Sequence, residues 1–124
     1  MCGIVGSTSH NLSRLTLNDL HHRGPDARGL HSSGEVTLGH TRLSIIDLDN
    51  GSQPMVDDKT AIVFNGEIYN YRQLRGKLTT CKTDSDTEVL LQYYKKYGIE
   101  KTLKDINGMF SFAIFDNDKV FLAR

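Results

Sequence analysis

A cysteine stands second in the chain, so removal of Met1 would leave Cys2 carrying a thiol and a free α-amino group on one residue. A thiol with an ordinary pKa near ~8.5 is only slightly ionised at neutral pH, whereas an α-amino group titrates at about 7.7–8.0 and can take the thiol's proton. Together they form a nucleophile with its own base, the cysteine counterpart of the N-terminal threonine nucleophiles. Position two alone is weak evidence and favours an incidental cysteine. The segment Met1-Cys2-Gly3-Ile4-Val5-Gly6 adds a short apolar run, which predicts a β-strand with Cys2 at its end.

Four more segments follow: His22-Arg23-Gly24-Pro25-Asp26, Gly39-His40-Thr41-Arg42-Leu43-Ser44-Ile45-Ile46-Asp47, Asn65-Gly66-Glu67-Ile68-Tyr69-Asn70 and Ser85-Asp86-Thr87-Glu88-Val89. With the N-terminal cysteine they make five motifs in one order, and the chain resembles the class II glutamine amidotransferases, N-terminal-nucleophile hydrolases that release ammonia from glutamine. The likeness is to the glutaminase domain of asparagine synthetase in particular and runs from Met1 to Arg124. It implies an α+β fold, a four-layer αββα sandwich, with residues 1–124 forming one type 2 glutamine amidotransferase domain.

The resemblance also implies roles. Cys2 attacks the glutamine side-chain amide, and the oxyanion is held by the Asn65 side-chain amide and the Gly66 backbone N–H, donors that can lower such a barrier by several kcal/mol. Glutamine is a zwitterion, so a selective site should offer it a cation and an anion. Arg42 matches the first role through a bidentate pair with the carboxylate, and Asp86 matches the second. Leu43, Ser44, Ile45, Ile46 and Glu67 complete the implied substrate pocket. Each residue also has a plainer reading. Asn65-Gly66 between apolar runs suits a tight hairpin turn, and a turn could serve both purposes. Arg42 beside a strand suits a solvated rim, Asp86 suits a helix first turn, and residues 43–46 suit a strand core. His22 invites a general-base reading, but the α-amino group already supplies the base, and in the related domains this motif orders the loop beside the nucleophile. Thr41 stands where the family often carries a charged residue.

The elements that must position these groups are readable in outline. Leu12, Leu15, Leu17 and Leu20 suggest a helix ending near His21, followed by a turn at Gly24-Pro25-Asp26. Strands are expected at 36–38, 43–46 and 61–64, and a helix where Tyr71, Leu74 and Leu78 recur. Ser85-Asp86-Thr87-Glu88 reads as a capping box opening a helix that ends at Gly98. Residues 109–115 and 120–122 read as a hairpin around Asp116-Asn117-Asp118. The last strand runs close to Arg124, whereas related domains continue with further strands and helices. The expectation is therefore a domain shortened at its C-terminal end.

The 124 residues suit one domain, and 15 basic against 15 acidic side chains leave no net charge. Without a charge run, neither nucleic acid nor an acidic membrane surface is an expected partner. With no leader pattern or long apolar stretch, a cytoplasmic location is expected. Cys2 and Cys81 are the two cysteines; a bridge between them would consume the nucleophile, and no metal-ligand spacing occurs. No cofactor is expected in this chain. The phosphate loop and pyrophosphatase motifs of an ATP enzyme are missing, so ATP and magnesium are expected only with the absent synthetase domain, the implied ammonia acceptor. The rival reading is a non-catalytic glutamine-binding or docking module, or an inactive fragment.

Overall fold

A computed structural model describes residues 1–9, 16–44 and 51–124. Among them lie two antiparallel sheets. The first is three-stranded in the order β1-β3-β2, with β1 Gly3–Ser7, β2 Ala27–Ser33 and β3 Val36–Arg42. The second is four-stranded in the order β4-β5-β6-β7, with β4 Met55–Asp57, β5 Thr60–Ile68, β6 Gly108–Asp116 and β7 Lys119–Ala123. Four α-helices are described: α1 Thr16–Asp19, α2 Tyr71–Arg75, α3 Asp86–Tyr97 and α4 Ile99–Asp105.

Side-chain alternation along the strands sorts these elements into layers. On β5 and β6, Ile62, Phe64, Phe112 and Ile114 face α3 and pack against Val89, Leu90 and Tyr93. Ala61, Val63, Ala113 and Phe115 face the other way and meet Leu38, with Ile4 and Val36 at the margin. That smaller cluster is the seam between the sheets. On the far side of the first sheet, Gly39 lies under Leu17 of α1, and Thr41 Oγ1 donates to Leu20 O at 3.0 Å. The order helix, sheet, sheet, helix is the four-layer α+β sandwich expected.

Several expected elements form with altered limits. Of the first expected helix, the described residues form α1, Thr16–Asp19, followed by a 3-10 turn at His21–Arg23; Leu12 and Leu15 lie outside the described residues. The strand expected at 36–38 runs on through Arg42, so Arg42 ends a strand rather than heading one. Leu43 and Ser44 are not in a strand, and Ile45 and Ile46 lie outside the described residues. Residues 61–64 belong to a longer β5 that carries Asn65 and Gly66 in mid-strand, opposite Ser111 and Phe110. The hairpin-turn reading of Asn65-Gly66 is thus incorrect: the nine-pair register with β6 overrides the local turn preference. Half of the capping box forms, since Ser85 Oγ accepts from Thr87 N at 3.2 Å while Glu88 turns away to Lys82 N, Thr83 N and Thr83 Oγ1. Strands β2 and β4 and helix α4 were not expected. The hairpin at the chain's end forms as read, with Asn117 at φ 56°.

Candidate active site

Residue 2 is held by three elements at once. Its strand β1 pairs with β3, placing Gly3 opposite Thr41. Arg23 Nε donates to Cys2 O at 3.0 Å, so the basic residue of the His-Arg-Gly-Pro-Asp segment fixes the main chain of the nucleophile. The Sγ accepts from Leu43 N at 3.4 Å and donates to Leu43 O at 3.6 Å. Gly24 makes this approach possible, because a Cβ there would lie 2.4 Å from the Thr41 carbonyl. Asp26 then closes the loop: its N–H donates to Arg42 O at 3.0 Å, and its Oδ2 accepts from Ser44 N at 2.8 Å.

Beyond Cys2 opens a cavity of about 390 Å³, within the usual range for a small-molecule site. Cys2 and Arg42 enter it from the first sheet, Asn65, Gly66 and Glu67 from β5, and Asp86 from the start of α3. Leu43 lines it as well, while Ser44 stays outside, tied to Asp26. The sequence alone did not single out Gln53, Thr87, Met109, Phe110 and Ser111, which share its walls. Two of these had a signal of sorts. Ser111 and Phe110 become neighbours of Asn65 and Gly66 once β5 is extended to Ile68 and its register with β6 is drawn. A separate groove of about 810 Å³ between the sheets is lined by residues such as Val36, Leu38, Val63 and Leu122 and contains no cysteine.

The charges of the site come from different elements, Arg42 from the end of β3 and Asp86 from the start of α3. Arg42 is 6% exposed and Asp86 5%, each close to full burial. Burial is the main cause that raises the Asp86 pKa above its ordinary value, and the nearby Glu67 charge adds to it; hydrogen bonds from the Ile68 and Thr87 backbone oppose the rise. The Ile68 bond, to Asp86 Oδ2, measures 3.1 Å. A carboxylate in that state gains by meeting an ammonium group. His40 lies between the sheets one alternation back from Arg42, with both ring nitrogens buried. Burial lowers its pKa to about 4, so it is a neutral imidazole near neutral pH; Arg42 pushes in the same direction and the Phe64 backbone opposes it.

Gly66 is the conformational pivot. Its φ of 150° suits glycine, and a Cβ there would lie 2.0 Å from Met109 O. Only a residue without a side chain lets β5 keep its pairing with β6 at this point.

A cysteine one residue from the start of a strand, facing a pocket at the end of an αββα sandwich, defines the N-terminal-nucleophile hydrolase layout. Within that layout, the family model of the glutamine amidotransferase domain matches residues 1–124, and the chain belongs to that family. Among curated proteins it is 48% identical over 136 residues to a glutamine-hydrolysing asparagine synthetase of Zea mays, covering 99% of this chain and 23% of that protein. It is 44% identical to the glutamine-hydrolysing asparagine synthetase 1 of Bacillus subtilis (strain 168), over 97% of this chain and 22% of the relative. To asparagine synthetase B of Escherichia coli (strain K12) it is 43% identical, over 87% and 20%. The chain thus spans about a fifth of the length of these relatives.

Proposed function

We propose that this chain hydrolyses the side-chain amide of glutamine, using Cys2 as an N-terminal nucleophile, and that the ammonia serves asparagine synthesis by an ATP-dependent synthetase domain or partner. The observation that carries the reading is the convergence of Cys2, Arg42, Asn65, Gly66 and Asp86, from two sheets and a helix, on one cavity of about 390 Å³.

The reaction follows from the groups present. With Met1 removed, the Cys2 α-amine takes the thiol proton and the thiolate attacks the amide carbon. The carbonyl π electrons move to oxygen, where the Asn65 side-chain amide and the Gly66 N–H receive them. The α-ammonium returns the proton to the departing nitrogen, ammonia leaves, and a glutamyl thioester remains on Sγ. Water, deprotonated by the same amine, cleaves the thioester to glutamate. Arg42 pairs with the substrate carboxylate and Asp86 with its ammonium, and Leu43 and Glu67 line the same cavity. Because burial disfavours the ionised form of Asp86, its pairing with the ammonium selects for an α-amino acid over a plain amide.

The chemistry needs no cofactor in residues 1–124; ATP and magnesium belong to the synthetase side. No described helix is long and apolar enough to cross a membrane. A cytoplasmic location fits two free cysteines.

The test is glutamate release from glutamine by the whole protein, with intact mass to establish loss of Met1. Activity that disappears in Cys2→Ala is expected. Equal activity in Cys2→Ala, or none in the folded Met1-free protein, would overturn the reading.

A further inference from the structure

Strand β5 has an edge that no described strand covers beyond residue 62. Its pairing with β4 ends at Ile62, and alternation places the N–H groups of Phe64, Gly66 and Ile68 on that same edge. Side chains take two of the three. Phe64 N donates to Gln53 Oε1 at 2.6 Å, and Ile68 N donates to Asp86 Oδ2 at 3.1 Å. Alternation puts the Gly66 N–H between them on this edge, and Gly66 lines the cavity.

Gln53 does more than fill a place on the ladder. Its other carboxamide atom, Nε2, donates to Thr87 Oγ1 at 3.2 Å, in the first turn of α3 beside Asp86. The orientation is forced, because the Phe64 N–H can only donate and so must face the oxygen. The main chain of Gln53 is pinned too: its carbonyl crowds Gly29 of β2, where a Cβ would lie 2.0 Å away. One residue therefore touches the first sheet, the strand bearing Asn65 and Gly66, and the helix bearing Asp86.

We propose that Gln53 is a positioning residue of the glutaminase site, whose carboxamide sets the spacing between the Gly66 N–H and the Asp86 carboxylate so that oxyanion and ammonium are held at once. This rests on the glutaminase reading above. Gln53 touches no reacting atom; it fixes the two groups that do. Without it, β5 and the start of α3 are free to separate, and a donor displaced by a fraction of an ångström stabilises the oxyanion less.

The test uses the whole, Met1-free protein with Gln53→Leu and Thr87→Val, read as kcat and KM for glutamine. A second readout is the rate at which a diazoketone analogue of glutamine alkylates Cys2, divided by the rate for iodoacetamide. The analogue needs the pocket, whereas iodoacetamide needs only the thiol. Gln53→Leu is expected to lower kcat by about tenfold to a hundredfold, more than it raises KM, and to lower the alkylation ratio similarly. Thr87→Val should act in the same direction but less. The double variant should be no worse than Gln53→Leu alone, since both break one connection. Unchanged kcat and alkylation ratio in the two single variants, with lower thermal stability alone, would overturn the proposal. If Gln53→Leu fails to fold, Thr87→Val decides the matter through the same ratio, because it removes a single bond from a helix still capped by Ser85. Wild-type protein without any glutaminase activity would instead sink the underlying reading.

Discussion

Asp86 and His40 are both buried beside the site, and they respond to pH in opposite ways. The lowered His40 pKa, about 4 against 6.5 for a free imidazole, means that between these values the unfolded chain binds a proton that the folded chain refuses. Stability is therefore complete above pH 6.5 and falls as pH drops toward 4, by about 3 kcal/mol at most. His40→Met should flatten this dependence in denaturant melts between pH 7 and 4; an unaltered slope would refute the assignment. Asp86 has a raised pKa, so the folded chain holds its proton longer and stability falls as pH rises from the ordinary aspartate pKa through the raised one. Its ionised form near neutral pH is a burden relieved by a cationic ligand. Asp86→Asn keeps an acceptor for Ile68 N, so its melting temperature should hold or rise while KM for glutamine increases by about tenfold or more. A melting temperature that falls together with an unchanged KM would contradict both roles.

At the scale of elements, β5 and the start of α3 carry most of the consequence. Gly66→Ala cannot be accommodated without moving β5 from Met109, and we expect it to destabilise by about 2 kcal/mol or more and to abolish glutamate release. Urea unfolding of that variant checks the first expectation. Ser85→Ala should cost about 1 kcal/mol by uncapping α3, a smaller loss visible in the same experiment. The helix start was legible because Ser85 precedes an acidic turn and an apolar face. Its reciprocal partner was misread, since Glu88 finds three donors at Lys82 and Thr83 in the preceding loop, beyond the reach of a four-residue pattern. Asn65-Gly66 shows the converse: its turn chemistry is real locally, yet nine residue pairs with β6 hold it extended. Strand β2 carries Arg28, Gly29, His31, Ser32 and Ser33 and lacks any β-branched residue, so nothing in its periodicity distinguished it from a loop; pairing with β3 makes it a strand.

For the whole molecule, the site is only as rigid as the seam between the sheets, because Cys2 and Arg42 belong to one sheet and Asn65 and Gly66 to the other. Leu38 is the large aliphatic side chain of that seam, buried against Ala61, Val63, Ala113 and Phe115. Leu38→Ala is expected to cost about 2–5 kcal/mol in stability and to lower kcat/KM at temperatures well below its melting point, whereas an equally destabilising Leu91→Ala within α3 should spare kcat/KM. Comparing the two variants at matched folded fraction makes the measurement. This dependence was not legible in the sequence. The motifs are spread from Cys2 to Val89, their order matches a family, and only the packing of two sheets and α3 brings their residues around one cavity.

The edge of β5 that no described strand covers has a consequence for solution behaviour. An extended run with open N–H groups is a template on which a strand from another molecule can add, the first step of fibril growth. Here that run is stoppered by a carboxamide and a carboxylate. A chain lacking both, Gln53→Leu with Asp86→Leu, should bind thioflavin T and form a concentration-dependent precipitate at temperatures where each single variant stays clear. The same gap that admits a substrate would then admit a neighbour.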